Sequence, residues 1–287
     1  MNEIPRNPSP LSTPLRIEDV EASVQRHRAR RAARARVSAV LSPLGVVIVL
    51  LALWEAGTRV FGVPAFLLPP PSAVAVAIVT HAPLLAAGAW VTTVEILLGF
   101  LLSVVVGIPL ALMIFLWPPF ARAIFPLLVS SQAMPKVAIA PLLLVWFGFG
   151  MVPKVLIAFL IAFFPVVINT AVGLAAIEPE KIQLARSMGL SAMDTFFKIR
   201  LPDALPSIFG GLKISITLAV VGAVVGEFVG SSSGLGYRML LAAGLLHTER
   251  VFAIMLTLMT VGVSLVEISR RVEQYLLRWR PPQSQIN

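Results

Sequence analysis

Glu55, Glu95, Lys136 and Glu227 fall inside long apolar runs of this sequence, and Glu249 and Glu267 sit near the ends of others. Their chemistry is that of charge held away from water. An ionised side chain at the centre of a bilayer costs roughly 2.5–3.5 kcal/mol even on the insertion scale, so each needs a partner or a polar path. Lys136 and Glu227 are the first pair to consider, with Glu95 as a competing partner. One reading makes the pair a structural ion bridge towards the outer half of a membrane bundle; the other has Lys136 attract an anionic solute.

Other reactive patterns are missing from the sequence. There are no cysteines, and His27, His81 and His247 lie far apart without ligand spacing, so no metal site is expected. No Walker A pattern or Gly-Lys dipeptide occurs, and Gly234-Leu235-Gly236 reads as a turn rather than a phosphate cradle. No nucleophile, base and orienter set is present either. The chain is expected to be neither an enzyme nor a cofactor protein. If ATP drives it, the ATP is bound by another subunit.

The elements that must position these residues are membrane spans. Hydrophobic residues make up 57% of the chain and charged residues 13%, and the mean hydropathy is +0.90, which together read as an all-α integral membrane protein. Six crossings are expected, at about 39–61, 91–116, 123–147, 154–175, 208–230 and 250–268, each long enough for a ~30 Å hydrocarbon core. Residues 1–38 form a polar tail with Arg26, Arg28, Arg30, Arg31, Arg34 and Arg36 crowded ahead of the first span. This tail is expected to be cytoplasmic and disordered, and a cleaved signal peptide is disfavoured because no small-residue cleavage site follows. The membrane domain then covers 39–268, and 269–287 is a second cytoplasmic tail.

Sidedness follows from the basic residues. With both termini inside, Arg59, Lys154, Arg238 and Arg250 fall outside and Lys136 within the membrane, while all the others of the 23 Lys and Arg residues fall inside. The net charge of +9 is thereby explained without a nucleic acid partner. Residues 62–88 are proline-rich and are expected outside, with Ser72 capping a short helix. The third span carries Pro126, Pro135 and Pro141, so it should be kinked or partly unwound and face protein or a pathway. Residues 231–249 form an outer or re-entrant stretch. Gly222, Gly226 and Gly230 recur at every fourth position and share a helix face, where they either pack within the subunit or line the path or a partner protomer.

Between the fourth and fifth spans lies a polar stretch, 178–206. Pro179 suits a first helical position and Gly189 a left-handed helix end. Ser191 and Asp194 make an approximate capping box for a second short helix, which Leu201-Pro202 should end. The stretch therefore reads as a helix-turn-helix knob on the cytoplasmic side.

Gly189, Ile199, Leu201 and Pro202, at this spacing, resemble the second half of the EAA loop of permease subunits in binding-protein-dependent ABC importers. The first half departs from that pattern, since Gln183-Leu184-Ala185 stands where Glu-Ala-Ala is expected and only Ala185 matches. The resemblance extends from about Trp90 to about Glu273 and is strongest to nitrate, sulfonate and taurine permeases. It implies a MetI-like fold of six transmembrane helices in a bacterial inner membrane, with Gln183, Ala185, Gly189, Ile199, Leu201 and Pro202 coupling to a separate ATP-binding subunit. It further implies an extracytoplasmic solute-binding protein, a second permease copy forming a homodimer or else a related chain in its place, surrounding lipid, and as solute a small or organic anion (nitrate, a sulfonate or taurine) or a thiamine-precursor pyrimidine. Lys136, Glu227 and the three glycines are then candidates for the path or for helix packing. The rival class is an ATPase-independent secondary transporter or channel, but no convincing repeat relates the two halves.

Overall fold

The structure, a computed structural model, describes residues 45–279. The polar N-terminal tail, the beginning of the first expected span and the last residues of the second tail lie outside the described residues. Contacts divide the chain into two units that meet in sequence at Gly62 and Val63. In the first unit, residues 45–60 form helix α1. Near its end Glu55 pairs with Arg59 at 2.5 Å, one turn apart, and the Thr58 hydroxyl donates to the Trp54 and Glu55 carbonyls.

The second unit is all-helical among its described residues. Its elements are α2 (Pro71–Thr80), α3 (Ala82–Leu116), α4 (Pro118–Gln132), a 3-10 turn (Lys136–Ile139) running into α5 (Ala140–Phe147), and α6 (Met151–Ala175). There follow α7 (Pro179–Ser187), α8 (Ala192–Thr195), a π-turn (Phe196–Arg200), α9 (Leu201–Gly230), α10 (Leu235–Gly244) and α11 (Thr248–Leu276). Among the described residues, four segments can cross a membrane by length and hydropathy: α3, α6, the run from α8 through α9, and α11. A fifth crossing is formed if α4 and the 136–147 segment count as one span, broken by a bend of 88°.

The bend lies where the prolines predict an unwound helix. Pro135 has no N–H to donate, and Pro141 removes another from the first turn of the next helix. The expectation that this span faces protein is met only in part: α4 buries no residue, whereas Ala140 and Leu143 of α5 are buried. The expected outer helix begins at Pro71, with Pro70 as its N-cap, so Ser72 lies inside the helix and does not cap it. The second span also starts earlier than expected. Pro83 sits in the first turn, where a missing N–H costs nothing, and no breaker follows before Pro109, so α3 runs unbroken from Ala82.

Helix α6 is the centre of the bundle. At Ala158 it is held from both sides, because added Cβ atoms on Gly99 of α3 and Gly222 of α9 would each collide with it. Between membrane helices, packing of this kind does the work that apolar burial does in water, because lipid tails are as apolar as leucine. Hydroxyls reinforce it: Ser215 of α9 donates to the Ala162 carbonyl at 2.7 Å and Ser207 to that of Asn169 at 2.9 Å. These bonds flank Pro165, which interrupts the helical ladder of α6. Towards the C-terminal end, Lys213 of α9 pairs with Glu273 of α11 at 2.6 Å.

Candidate functional site

The polar knob is built by two helix ends. In α7, Pro179 occupies the first position and Met188 the C-cap. Gly189 then adopts φ +75°. The Leu190 N–H reaches back to the Ala185 carbonyl at 3.1 Å and the Gly189 N–H to that of Arg186 at 3.0 Å, closing the helix in the left-handed manner that glycine permits. Ser191 opens α8 and accepts the Asp194 N–H at 3.1 Å. The expected box is half made, since the Asp194 carboxylate takes the Ser191 hydroxyl instead of the Ser191 N–H. An ion pair from Asp194 to Lys198 at 2.6 Å continues along the helix.

Leu201-Pro202 does not end the second helix. Leu201 keeps helical angles, φ −63° and ψ −48°, and the π-turn over Phe196–Arg200 widens the ladder just where Pro202 can neither donate an N–H nor fit a normal turn. The helix from Ala192 to Gly230 is therefore continuous over 39 residues, roughly 60 Å at 1.5 Å per residue. The knob is braced against it by Lys181, which pairs with Asp203 at 3.1 Å; that carboxylate raises the Lys181 ammonium above its ordinary range. Arg200 lies over the Phe115 ring at 5.1 Å and anchors the root of the knob to α3.

Among the candidate knob residues, Gln183 and Gly189 are exposed, Ala185 is buried, and Ile199, Leu201 and Pro202 are half-buried. The structure adds an apolar surface that the sequence pattern did not single out, made by Leu184, Met188, Met193 and Phe197, each more than half exposed. Apolar side chains within an otherwise polar stretch were the available signal.

The second cluster lies near the far end of α9, roughly 40 Å along the helix from Leu201. Lys136 and Glu227 do not pair. Lys136 is on the 3-10 turn at the break, half-buried, with its ammonium 6.0 Å from the centre of the Phe164 ring. The ion pair is instead formed by Lys154 of α6 and Glu95 of α3, both buried. Lys154 also donates to Ser231 Oγ at 3.0 Å, while Glu95 Oε2 has no hydrogen-bond partner among the described residues. Lys154, expected outside the membrane, is instead carried into the bundle because α6 begins at Met151 and turns it towards α3.

Glu227 has a different task. It accepts the Thr92 hydroxyl at 2.7 Å and the Gly236 N–H, and Thr92 Oγ1 accepts the Leu235 N–H at 2.9 Å. Its carboxylate thus closes the N-terminus of α10, where free N–H groups and the helix dipole favour negative charge. Gly234 and Gly236 make room, as a Cβ on either would run into that carboxylate. A cavity of about 410 Å³ opens beside the cluster, lined by Glu95, Phe149, Met151, Lys154, Ser231 and Ser233.

The three glycines on α9 face their own subunit. Gly222 and Gly226 lie against the α6 backbone at Ala158 and Lys154, and Gly230 against the Leu144 side chain of α5. Gly222→Val should therefore push α9 off α6 and lower stability by about 1–3 kcal/mol. A thermal midpoint in detergent equal to the wild type would contradict this packing role.

Residues 99–276 match the family described as the binding-protein-dependent transport system inner membrane component. A probable ABC transporter permease protein of Haemophilus influenzae is 40% identical over 79% of this chain and 92% of its own length. The formylaminopyrimidine transport permease protein of Halalkalibacterium halodurans is 34% identical over 85% of this chain and 97% of its own. A putative aliphatic sulfonates transport permease protein of Bacillus subtilis is 34% identical over 81% and 85%. Among solved structures, an inward-facing MetNI methionine ABC transporter superposes with a TM-score of 0.57 at 21% identity, over 69% of this chain and 97% of that one.

Proposed function

Because the chain belongs to the family of binding-protein-dependent transport system inner membrane components, a permease subunit and not an enzyme, we propose that its polar knob is where a separate ATP-binding subunit attaches and drives it. The observation that carries this reading is the knob's construction: a glycine-hinged helix pair with an exposed apolar face, continuous through the π-turn with α9. A helix without a break between knob and bundle moves as one lever. Displacement of α8 by the ATPase would reach the Glu227 end of α9, where the start of α10 is fastened.

In this reading the knob and both tails are cytoplasmic, a solute-binding protein docks at the α10 end, and a second copy of the chain completes the path. The domain limits follow as 1–38, 39–268 with the coupling loop 178–206, and 269–287. The solute class is a small or organic anion such as nitrate, a sulfonate or taurine, or a thiamine-precursor pyrimidine. The similarity to permeases named for aliphatic sulfonates and for formylaminopyrimidine supports both members of that class. Lys136, half-buried and without an ion pair among the described residues, is the cation proposed to meet an anionic solute.

Met188 and Met193 sit on the exposed face of the knob, at 71% and 67% exposure, so charges there cost the fold little and any apolar docking contact much. Met188→Asp with Met193→Asp should abolish co-purification with the ATPase subunit while yield and thermal midpoint stay near wild type. Full recovery of the complex would refute docking on this face.

A further inference from the structure

A smaller cavity between α2, α3, α10 and α11 has no part in the reading above. It encloses about 170 Å³, with walls that include Leu84, Leu85, Leu245 and Ile254, and His81, Arg238 and Arg250 also line it. Neither arginine pairs with a carboxylate among the described residues, and Glu249, the neighbour of Arg250 in sequence, makes no ion pair either. The Nε atoms of Arg238 and Arg250 are both buried without a hydrogen-bond partner among the described residues. A solvated arginine at a membrane surface would present those atoms to water; these two withhold them from it.

The fold makes room for this arrangement. Arg238 runs alongside α3 at Gly88, where an added Cβ would lie 3.2 Å from its Cδ and Nε. The His81 ring directs Nδ1 at the Ala77 carbonyl, 3.1 Å away, which leaves Nε2 as its remaining polar atom. Two guanidinium groups sharing one small cavity repel each other and leave buried donors unsatisfied, a cost that an oxyanion between them removes. The planar fork of arginine fits sulfonate, phosphate and carboxylate oxygens, which a lysine ammonium meets only as a point charge.

We propose that this cavity binds the oxyanion head of an amphiphilic molecule, with Arg238 and Arg250 donating to its oxygens and the apolar walls taking the first carbons of its tail. A free alkylsulfonate and a lipid phosphodiester share that chemistry. The test uses the full chain purified in a neutral detergent, with thermal unfolding followed at constant ionic strength in sodium chloride, sodium methanesulfonate or sodium butanesulfonate. A ligand that binds only the folded state raises the midpoint with concentration.

Both sulfonates should raise the midpoint above the chloride reference. Butanesulfonate should half-saturate at lower concentration, by about fourfold for each methylene the walls accept. R238Q/R250Q should lose the rise, and R238K/R250K, which keeps the charge and loses the fork, should need at least about tenfold more sulfonate. If R238Q/R250Q does not fold, the lysine pair carries the comparison. Micelles doped with phosphatidylglycerol form the second arm: a rise there that the variants lack assigns the site to lipid, and a rise with sulfonate alone assigns it to a free solute. The proposal is overturned if neither probe raises the wild-type midpoint above chloride, or if the variants respond as the wild type does.

Discussion

Lys154→Met should leave little folded protein in detergent extracts, whereas Lys136→Met should be recovered at close to wild-type yield. Lys154 is the counter-charge of Glu95, and both groups are buried, at 4% and 0% exposure. Removing one partner of such a pair costs about 3–5 kcal/mol, because the other charge stays behind uncompensated. That is a large share of the roughly 5–15 kcal/mol that holds a typical folded protein together. Nor is repacking cheap here, since Gly226 brings α9 against the Lys154 backbone and the ammonium also holds Ser231. The double variant Lys154→Met with Glu95→Gln should recover most of the loss, because it removes both charges while keeping the shape of the site. Yield by size-exclusion chromatography and thermal midpoints of the four chains make the double-mutant cycle. Equal midpoints for wild type and Lys154→Met would show that the pair contributes nothing, and a double variant no better than the single would assign the effect to packing.

The contrast between the two lysines shows what the sequence could and could not convey. Lys136 lies in the middle of an apolar run and draws attention by position alone. Lys154 lies three residues from the start of α6, where one turn of register decides whether it meets water or Glu95. No single-sequence pattern fixes that register, because the apolar residues of a membrane helix surround it and leave no polar face to orient it. The glycine face of α9 was legible as a spacing of four, but its partner was not, since Ala158 is one small residue among many on α6. The bent third span, by contrast, could be read directly, because Pro126, Pro135 and Pro141 act on their own backbone and need no partner.

The knob divides in the same way. Its caps are local chemistry, so Pro179, Gly189 and Ser191 could be placed from sequence alone. The continuity of α8 with α9 could not be, because Leu201-Pro202 ordinarily ends a helix and only a widened turn lets the chain pass through it. That difference bears on mechanism. With a break at Pro202 the knob could rock on its own; without one, the flexible point between α7 and the lever is the turn at Gly189.

Gly189→Val should therefore leave the bundle intact and uncouple it. The residue stands at φ +75°, a conformation that costs an L-residue roughly 1–2 kcal/mol and a β-branched one more. A Cβ placed there meets nothing within 4 Å, so the substitution acts on the backbone alone and produces no clash. The strain is relieved if the turn opens, and opening it swings α7 relative to α8, which separates Met188 from Met193 across the exposed face. Solute uptake should fall by roughly tenfold or more if the docked geometry loses about 1.4 kcal/mol, while yield and thermal midpoint of the isolated chain stay near wild type. Gly189→Asn supplies the control, since asparagine accepts left-handed backbone far better than valine, and it should retain most of the uptake. The measurement is recovery of the complex with the ATPase subunit in detergent, followed by solute-stimulated ATP hydrolysis and uptake in vesicles. Valine and asparagine variants that behave alike would remove the backbone argument. Unchanged recovery, hydrolysis and uptake in the valine variant would sink the coupling role of the turn, and uptake by the permease with no ATPase present would overturn the ATP-driven reading itself.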